Sequence, residues 1–527
     1  MEKGFYCSAQ DEVGRNSTVA ETAAGRIRGF RWDGIYTFHG IRYATAKRFQ
    51  KPVPVDKWDA TIDAMSYGYV APKISERKPN NEVKVVHRMW ASSEDCLNLN
   101  VWTPGLHDGK KRPVLVWLHG GGFFAGSSIE QVCYDGKSLA ENGDVVTVTV
   151  NHRLNLLGFL DMSPYGAQFE NSANAGMQDI VEALRWVHTN IAAFGGDPEN
   201  VTLFGQSGGA MKISCLMQIP EAKDLFHKGV MISGTPAADG PRQDSEIVRG
   251  LLENLSIPQS DAAQLAEIPL PDLMEAYQKT EKALADRGIT VTWSPCKNDW
   301  YRGNPLQCGF TEEARKKPLI VAGVFSELNH IGVNISDKHV LSYEQRMERL
   351  RSVFGNQTEA LVEAFSEAYP GRNVLDMLRL DKHFRMATIK LLDKRAAEHC
   401  APTYDMLFTP DFPIDNGAPA WHCSDLPFFF HNIDRVPVAN GLRNAKELEH
   451  QISGSLIQFA KTGNPNGEGL LNWPEYSSHD RSTLILDDHA RAGKAFDRAL
   501  YEIYVQWLAG QNNPLNLKKD DKITDIT

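Results

Sequence analysis

The sequence predicts an α/β fold in which helices flank a central, mostly parallel sheet. Short, nearly continuous apolar runs carry this prediction, because strands buried on both faces of a parallel sheet have this pattern. The four runs are Pro113–Leu118, Val145–Val150, Val201–Phe204 and Lys228–Ile232. Helix-like segments alternate with them, which is the element order of an α/β fold.

A helix is predicted over Met177–Phe194, between the second and third runs. Its apolar residues at helical spacing predict one buried stripe, formed by Ile180, Leu184, Val187 and Ile191. The segment Gly195–Pro198 is rich in helix breakers and predicts the end of this helix.

Two further strands and two insertions are predicted in the second half. Pro318–Val324 and Tyr404–Phe408 have the composition of buried strands. The stretches Asp244–Ala285 and Tyr343–His399 are helix-rich and more polar, so we expect them to pack beside the sheet and form a gorge or cap. No linker interrupts residues 1–527, which predicts a single domain with a frayed tail at 516–527.

Composition excludes several function classes. The net charge of -10 is spread along the chain without a basic stripe, so we expect no nucleic-acid partner. No window approaches the roughly 20 apolar residues of a membrane span, and the N-terminus lacks the apolar stretch of a signal peptide. We therefore expect a cytoplasmic protein, unless a signal peptide has been removed. The eight scattered cysteines include no CxxC pair, so we expect neither a zinc site nor a disulfide framework.

A candidate nucleophile lies in Gly205–Gly209, directly after the third run. Its sequence, GQSGG, matches the G-x-S-x-G turn between a strand and a helix, with Ser207 at the centre. Such a turn lifts the serine hydroxyl above the sheet and requires small neighbours. Ala210–Ile213 is able to begin the helix. The alternative is an ordinary glycine-rich turn, but a strand before and a helix after favour the nucleophile.

A glycine-rich loop follows the first run at His119–Phe123. Ester hydrolysis develops a negative oxygen, and backbone N–H groups brought close by glycines stabilise it. We predict that Gly121, Gly122 and Gly208 supply these groups. A phosphate-binding loop is the alternative, but it requires GxxxxGK[ST] or GxGxxG, and neither pattern is present.

The base and the acid are expected after Ser207, in the order acid then histidine. Among sixteen histidines, His422 follows a predicted strand by a loop from which it could reach the serine. Glu327 lies just past another predicted strand and ranks first as the acid. Asp405, within a strand, and Asp415, in a loop, are the competitors.

Further motifs in order along the chain resemble the type B carboxylesterases, the cholinesterase-like and para-nitrobenzyl esterase-like family of α/β-hydrolases. They are Phe38–Ala44 with Arg48–Phe49, Ser93–Val101, Asn151–Leu154, Phe194–Pro198, and Thr462–Asn466 with Trp473–Pro474. The resemblance implies an α/β-hydrolase fold. It also implies a triad and an oxyanion hole at the residues chosen above, namely Ser207, Glu327, His422, Gly121, Gly122 and Gly208.

Three departures from the family pattern stand out. Gln206 occupies the position where the family usually has glutamate, which removes a charge that would favour a protonated histidine. Secreted members bridge the cysteine at the position of Cys96 to an upstream cysteine, but here only Cys7 precedes it, so we expect this bridge to be absent, in keeping with a reducing compartment. The segment before Glu327 is one residue shorter than usual and lacks the glycine that normally follows.

The predicted activity is hydrolysis of small-molecule carboxylic esters through an acyl-serine intermediate, without metal or organic cofactor. Phe123 is the preferred aromatic residue of the substrate pocket, with Gln206 beside it. Two other classes remain open: a non-catalytic binding protein, and an amidase or lyase on the same fold. The natural ester and the oligomeric state are not predicted.

Overall fold

An eleven-stranded sheet runs through the residues that the computed structural model describes, which are 12–74, 85–237, 243–330 and 333–510. Its strands in chain order are β1 Phe30–Trp32, β2 Ile35–Arg42, β3 Asn98–Thr103, β4 Arg112–Leu118, β5 Val146–Val150, β6 Gly196–Gln206, β7 Lys228–Ile232, β8 Leu319–Val324, β9 Thr403–Phe408, β10 Ser482–Leu486 and β11 Arg491–Lys494. The predicted tail at 516–527 lies outside the described residues.

The spatial order of the sheet is β11-β10-β9-β8-β7-β6-β4-β5-β3-β2-β1. The strands from β10 to β5 are parallel to one another. The remaining strands pair antiparallel at the two edges. The mostly parallel sheet is therefore confirmed, whereas the parallel strand β10 and the antiparallel strands at the edges were not predicted.

Fifteen α-helices accompany the sheet in the described part of the chain. They are α1 Lys137–Gly143, α2 Asn155–Phe159, α3 Ala175–Asn190, α4 Gly208–Leu216, α5 Asp244–Leu255, α6 Leu270–Asp286, α7 Pro305–Cys308, α8 Glu312–Arg315, α9 Tyr343–Phe354, α10 Thr358–Ala368, α11 Phe384–Ala397, α12 Leu426–Phe429, α13 Pro437–Asn440, α14 Ala445–Thr462 and α15 Arg498–Gly510. No helix among the described residues combines the length and apolar character needed to cross a membrane.

The central strands are buried on both faces, as their continuous apolar runs predict. Along β4, Val114, Val116 and Leu118 belong to one hydrophobic cluster. Leu115 and Trp117 belong to the cluster on the opposite face. Successive side chains of a strand point to opposite faces, so an apolar residue is needed at every position.

The structure places the helix and its end within a few residues of their predicted positions. The helix α3 begins at Ala175, and a 3-10 turn over Ile191–Phe194 extends it. Gly195 then takes a left-handed conformation and ends it. The predicted stop is too long, because Gly196 already belongs to β6, whose register shifts before Val201.

The two insertions are helical, as predicted. The helices α5 and α6 occupy the first, and α9, α10 and α11 lie within the second. The second insertion supports the end of β8, because Phe325 packs edge-on against Phe365 and Tyr369. The gorge or cap that these insertions are expected to form stays a prediction.

A buried charge network ties the second insertion to the sheet. Arg385 of α11 donates to both carboxylate oxygens of Asp405 and to Asp497 and Thr483. Arg385 and both carboxylates are buried. A buried carboxylate is tolerated only when it is paired, so Arg385 compensates two charges at once.

Replacement of this arginine tests the network. We expect Arg385→Met to lower the free energy of unfolding by about 3–5 kcal/mol, because two carboxylates lose their partner inside the protein. Urea denaturation at neutral pH measures the change. Arg351→Met is the control, since Arg351 pairs with Glu359 at an exposed site and should cost less than about 1 kcal/mol. Equal losses in the two variants would contradict this role of Arg385.

Candidate active site

Ser207 lies at the turn between β6 and α4. Its backbone has φ 55° and ψ −120°, a conformation that few non-glycine residues adopt. Such a strained backbone conformation costs about 1–3 kcal/mol of stability. The Ser207 N–H donates to the carbonyl of Ile232 at 2.8 Å, which ties the turn to β7. The helix begins at Gly208, two residues before the predicted segment Ala210–Ile213.

The residues two positions on either side of Ser207 have no room for a side chain. A Cβ atom on Gly209 would lie 1.9 Å from the carbonyl oxygen of Leu118. A Cβ atom on Gly205 would lie 2.7 Å from the carbonyl carbon of Gly209. The turn therefore packs backbone against backbone, and this close approach explains why the motif needs glycine at both positions.

The predicted oxyanion loop lies against the start of α4. A Cβ atom on Gly208 would be 2.5 Å from the nitrogen of Gly122 and 2.3 Å from its carbonyl oxygen. Within the described residues, the N–H groups of Gly121 and Gly122 make no hydrogen bond. The three predicted donors thus belong to two touching segments, and the two N–H groups of the loop are available to an external acceptor.

His422 and Glu327 meet through a short hydrogen bond. His422 Nδ1 lies 2.6 Å from Glu327 Oε2, and the two side chains are 3% and 1% exposed. The His422 N–H donates to the carbonyl of Glu327 at 3.1 Å, and the Ser326 N–H donates to Ala420 at 2.8 Å. Backbone hydrogen bonds therefore join the two loops that carry the pair.

Of the three acids considered from the sequence, Glu327 is the one that the structure brings to His422. Its other oxygen accepts a hydrogen bond from the Val324 N–H at 2.9 Å. Asp405 instead binds Arg385, and Asp415 is exposed. The missing glycine after Glu327 has not displaced its carboxylate from the histidine.

Gln206 contacts the opposite face of the base. Its Nε2 lies 2.9 Å from His422 Nε2, and the side chain is buried. When His422 carries its proton on Nδ1, facing Glu327, its Nε2 accepts a hydrogen bond from the Gln206 amide. No hydrogen bond joins the Ser207 hydroxyl to His422 among the described residues. The structure thus brings Gln206, His422 and Glu327 into one chain of contacts, and Ser207 follows Gln206 directly in the sequence.

Two buried carboxyl groups lie in the electrostatic environment of Glu327. Burial, followed by the charge of Glu327, raises the pKa of Asp381 and of Asp425 to about 7. Both groups therefore take up protons near neutral pH, which limits the negative charge around Glu327. A ring also supports the base, since Phe384 stacks on the His422 imidazole with centroids 5.5 Å apart.

The sequence patterns did not predict these supporting residues. Asp381 and Phe384 lie in the second insertion, about forty residues before His422, and no motif marks them. Asp425 is close to His422 in sequence, and that proximity was its only signal. Their proximity to the base depends on how the insertion folds back, which short-range patterns do not encode.

Phe123, the aromatic residue predicted for the substrate pocket, is buried. Phe123 is 1% exposed and packs edge-on against Phe159 at 5.1 Å. Phe123 is therefore part of the core here, and its place in a substrate pocket stays a prediction.

The part of the chain that the structure describes holds no cluster of three His, Cys, Asp or Glu side chains suited to a metal ion.

Comparisons with known proteins agree on one family. The model of the "Carboxylesterase family" matches residues 16–503. The para-nitrobenzyl esterase of Bacillus subtilis (strain 168) is 32% identical over 478 residues, which cover 89% of this chain and 94% of that protein. The phenmedipham hydrolase of Pseudarthrobacter oxydans is 31% identical over 494 residues, covering 89% and 95%.

Solved structures give the same answer. A polyester-hydrolysing esterase from Clostridium hathewayi has a TM-score of 0.90 and 42% identity, covering 95% of this chain and 100% of its own. A para-nitrobenzyl esterase structure has a TM-score of 0.73 and 30% identity, covering 92% and 99%. The chain belongs to the type B carboxylesterase family, has the α/β-hydrolase fold and is a carboxylic ester hydrolase.

Proposed function

We propose that the protein hydrolyses small-molecule carboxylic esters with Ser207 as nucleophile, His422 as base and Glu327 as the acid that orients it. The 2.6 Å bond between His422 and Glu327 carries the proposal, because it fixes a proton on Nδ1 and leaves Nε2 to receive another. The strained turn at Ser207, next to Gln206 and its contact with His422, supports the same assignment.

The mechanism proceeds in two halves. Ser207 Oγ attacks the ester carbonyl while its proton passes to His422 Nε2, and the resulting oxyanion accepts hydrogen bonds from Gly121, Gly122 and Gly208. The tetrahedral intermediate collapses, the alcohol leaves with the proton from His422, and an acyl-serine remains. Water then attacks the acyl-serine while His422 takes its proton, and the second tetrahedral intermediate collapses. The carboxylic acid leaves as His422 returns the proton to Ser207 Oγ, which restores the resting enzyme.

Gln206 must yield its contact during this cycle. In the structure its amide occupies Nε2 of the base, whereas the attack requires the Ser207 hydroxyl as the partner of that nitrogen. Catalytic hydrogen bonds often tighten only when a substrate is bound. We propose that Gln206 holds the imidazole in its reactive tautomer in the resting enzyme and that the serine hydroxyl replaces it.

The substrate class follows from the relatives and from the expected apolar pocket. We propose esters with an apolar acyl or alcohol part, including aromatic ones, since the Clostridium hathewayi relative is described as hydrolysing aliphatic aromatic polyesters. A series of p-nitrophenyl esters of graded acyl length, with a soluble aromatic diester oligomer as one member, resolves the preference. Matched amides in the same assay separate an esterase from an amidase.

Two properties of the whole chain are also proposals. We propose a single domain built around the eleven-stranded sheet. We propose a cytoplasmic location, supported by Cys96, which is a buried thiol without a disulfide at the position that secreted members of the family bridge.

Replacement of the triad tests the proposed function. We expect Ser207→Ala to abolish labelling by a fluorophosphonate and to lower kcat about 10⁴-fold or more. Glu327→Gln should lower kcat at least about 10²-fold, because the imidazole loses the carboxylate charge that fixes its tautomer and stabilises its protonated form. Asp415→Asn is the matched control and should keep wild-type kcat. Labelling of Ser207→Ala at the wild-type level would contradict the assignment of the nucleophile.

A methyl group at Gly208 tests the oxyanion hole. The Cβ atom of Gly208→Ala would overlap Gly122. The loop must therefore move, and its N–H groups no longer point at the oxyanion. We expect kcat to fall about 10²-fold with KM changed far less, because the loss is confined to the transition state. Steady-state kinetics on one p-nitrophenyl ester measures both constants.

Gly441→Ala serves as the control for this variant. Its Cβ atom would meet its nearest neighbour at 3.4 Å, an ordinary contact, and its backbone conformation suits alanine. Wild-type kcat in Gly208→Ala, with the fold retained, would contradict the assignment of the hole.

A carboxylate at position 206 tests the electrostatics of the base. Gln206→Glu places a negative charge against His422, which favours the protonated imidazole, so more acid-range activity is lost. We expect the acidic limb of kcat/KM to move up by about 1 pH unit or more. Gln206→Leu, which removes the amide without adding charge, should shift the limb less. Identical acidic limbs in wild type and Gln206→Glu would refute this role of the neighbouring group.

A further inference from the structure

A buried lysine lies behind the proposed oxyanion loop. Lys212 belongs to α4, which begins next to Ser207, and its exposed fraction is 0%. Its Nζ donates a hydrogen bond to the carbonyl of His119 at 3.0 Å. The same nitrogen lies 5.8 Å from the ring centre of Phe123. Because His119 and Phe123 flank the three glycines of the loop, one ammonium group contacts the loop at both ends.

The charge of Lys212 has no carboxylate bonded to it. No salt bridge joins its Nζ to an acid within the described ranges. Burial of an ammonium without such a partner is costly, and an apolar side chain of similar length would fill the space at less expense. Packing alone therefore does not explain why a lysine occupies this position. Its contacts with the glycine-rich loop point to a role in supporting that loop.

The two histidines near Lys212 do not add a second positive charge. The rings of His119 and His152 stack with centroids 5.0 Å apart. Burial, and then the charge of Lys212, holds the pKa of both imidazoles well below the usual range, so they are neutral. Cys215 on the same helix and Glu130 beyond the loop are the groups that attract the ammonium.

We propose that Lys212 is a positioning residue of the oxyanion hole, which anchors the loop of Gly121 and Gly122 from behind and adds positive potential where the negative oxygen develops. The inference rests on the proposed acyl-serine mechanism. A fixed charge in a water-poor site stabilises developing charge far more than it would in solvent. It acts on the transition state, because the ester in its ground state carries no net charge.

The proposal gives the pH profile a second limb. Burial lowers the pKa of Lys212 to about 7, so the ammonium is present below this pH and is lost as the pH rises through it. A neutral amine still donates to the His119 carbonyl, but its charge is gone. We therefore expect kcat to decline on the alkaline side toward the level of a variant that lacks the charge.

Lys212→Met is the test variant, because methionine keeps the length and removes the charge and the donor. We expect kcat to fall about 10-fold or more while KM changes less than about 3-fold, and the alkaline decline should disappear. A trifluoromethyl ketone that forms a hemiketal oxyanion should lose affinity by the same factor as kcat/KM. The thermal midpoint should stay close to that of wild type.

Lys317→Met is the matched control. Lys317 is also buried, and its Nζ donates to the backbone carbonyls of Lys223 and Phe226, away from the loop. We expect this variant to lose stability and to keep the kcat, the pH profile and the ketone affinity of wild type. Lys212→Gln is a second variant that keeps a donor without charge, for use if Lys212→Met does not fold.

The outcomes separate this inference from the function on which it rests. Wild-type kcat and an unchanged alkaline limb in a folded Lys212 variant would overturn the role of Lys212. A loss of thermal stability with unchanged kinetics would make Lys212 a structural residue and would overturn the role equally. If Ser207→Ala stays active, the proposed function itself fails, whatever the lysine variants do.

Discussion

The hydrogen bond between His422 and Glu327 is the constraint on which the site depends. It joins the loops that follow β9 and β8, two neighbouring parallel strands, so their carboxyl ends must lie side by side. The N–H of His422 and the carbonyl of Glu327 reinforce the pair through the backbone. An imidazole held in this way has one tautomer and one orientation, which is the state that a proton carrier needs.

Several neighbouring elements support this hydrogen bond. Tyr369 of the second helical insertion packs against Phe325, two residues before Glu327. Phe384 of the same insertion stacks on the His422 ring. The adjacent carboxyls of Asp381 and Asp425 gain protons near neutral pH, so the site does not accumulate charge beside Glu327. On the other side, Gln206 donates to the base, and Lys212 anchors the proposed oxyanion loop. The fold therefore brings together groups that are more than two hundred residues apart in sequence.

The sequence predicted what depends on short-range pattern and left out what depends on long-range packing. Six of the seven parallel strands were predicted, because a strand buried on both faces needs an apolar residue at every position, as in β4. The seventh, β10, was not predicted. The turn at Ser207 was predicted because close backbone contacts require glycine two residues before and after the serine, and this requirement gives a short recognisable motif. The contact of Gln206 with His422, the stacking of Phe384 and the burial of Lys212 involve no local repeat or spacing. Asp405 remained a competing acid for the same reason, since nothing near it in sequence reveals its partner Arg385.

Capture of the covalent intermediate tests the central claim most directly. Rapid mixing with a slowly deacylated p-nitrophenyl ester, acid quenching and peptide mass spectrometry locate the acyl group. The account predicts a burst of about one equivalent of p-nitrophenol per chain and a single acylated peptide with the modification on Ser207. Turnover without acylation, or an acyl group on another residue, would contradict it.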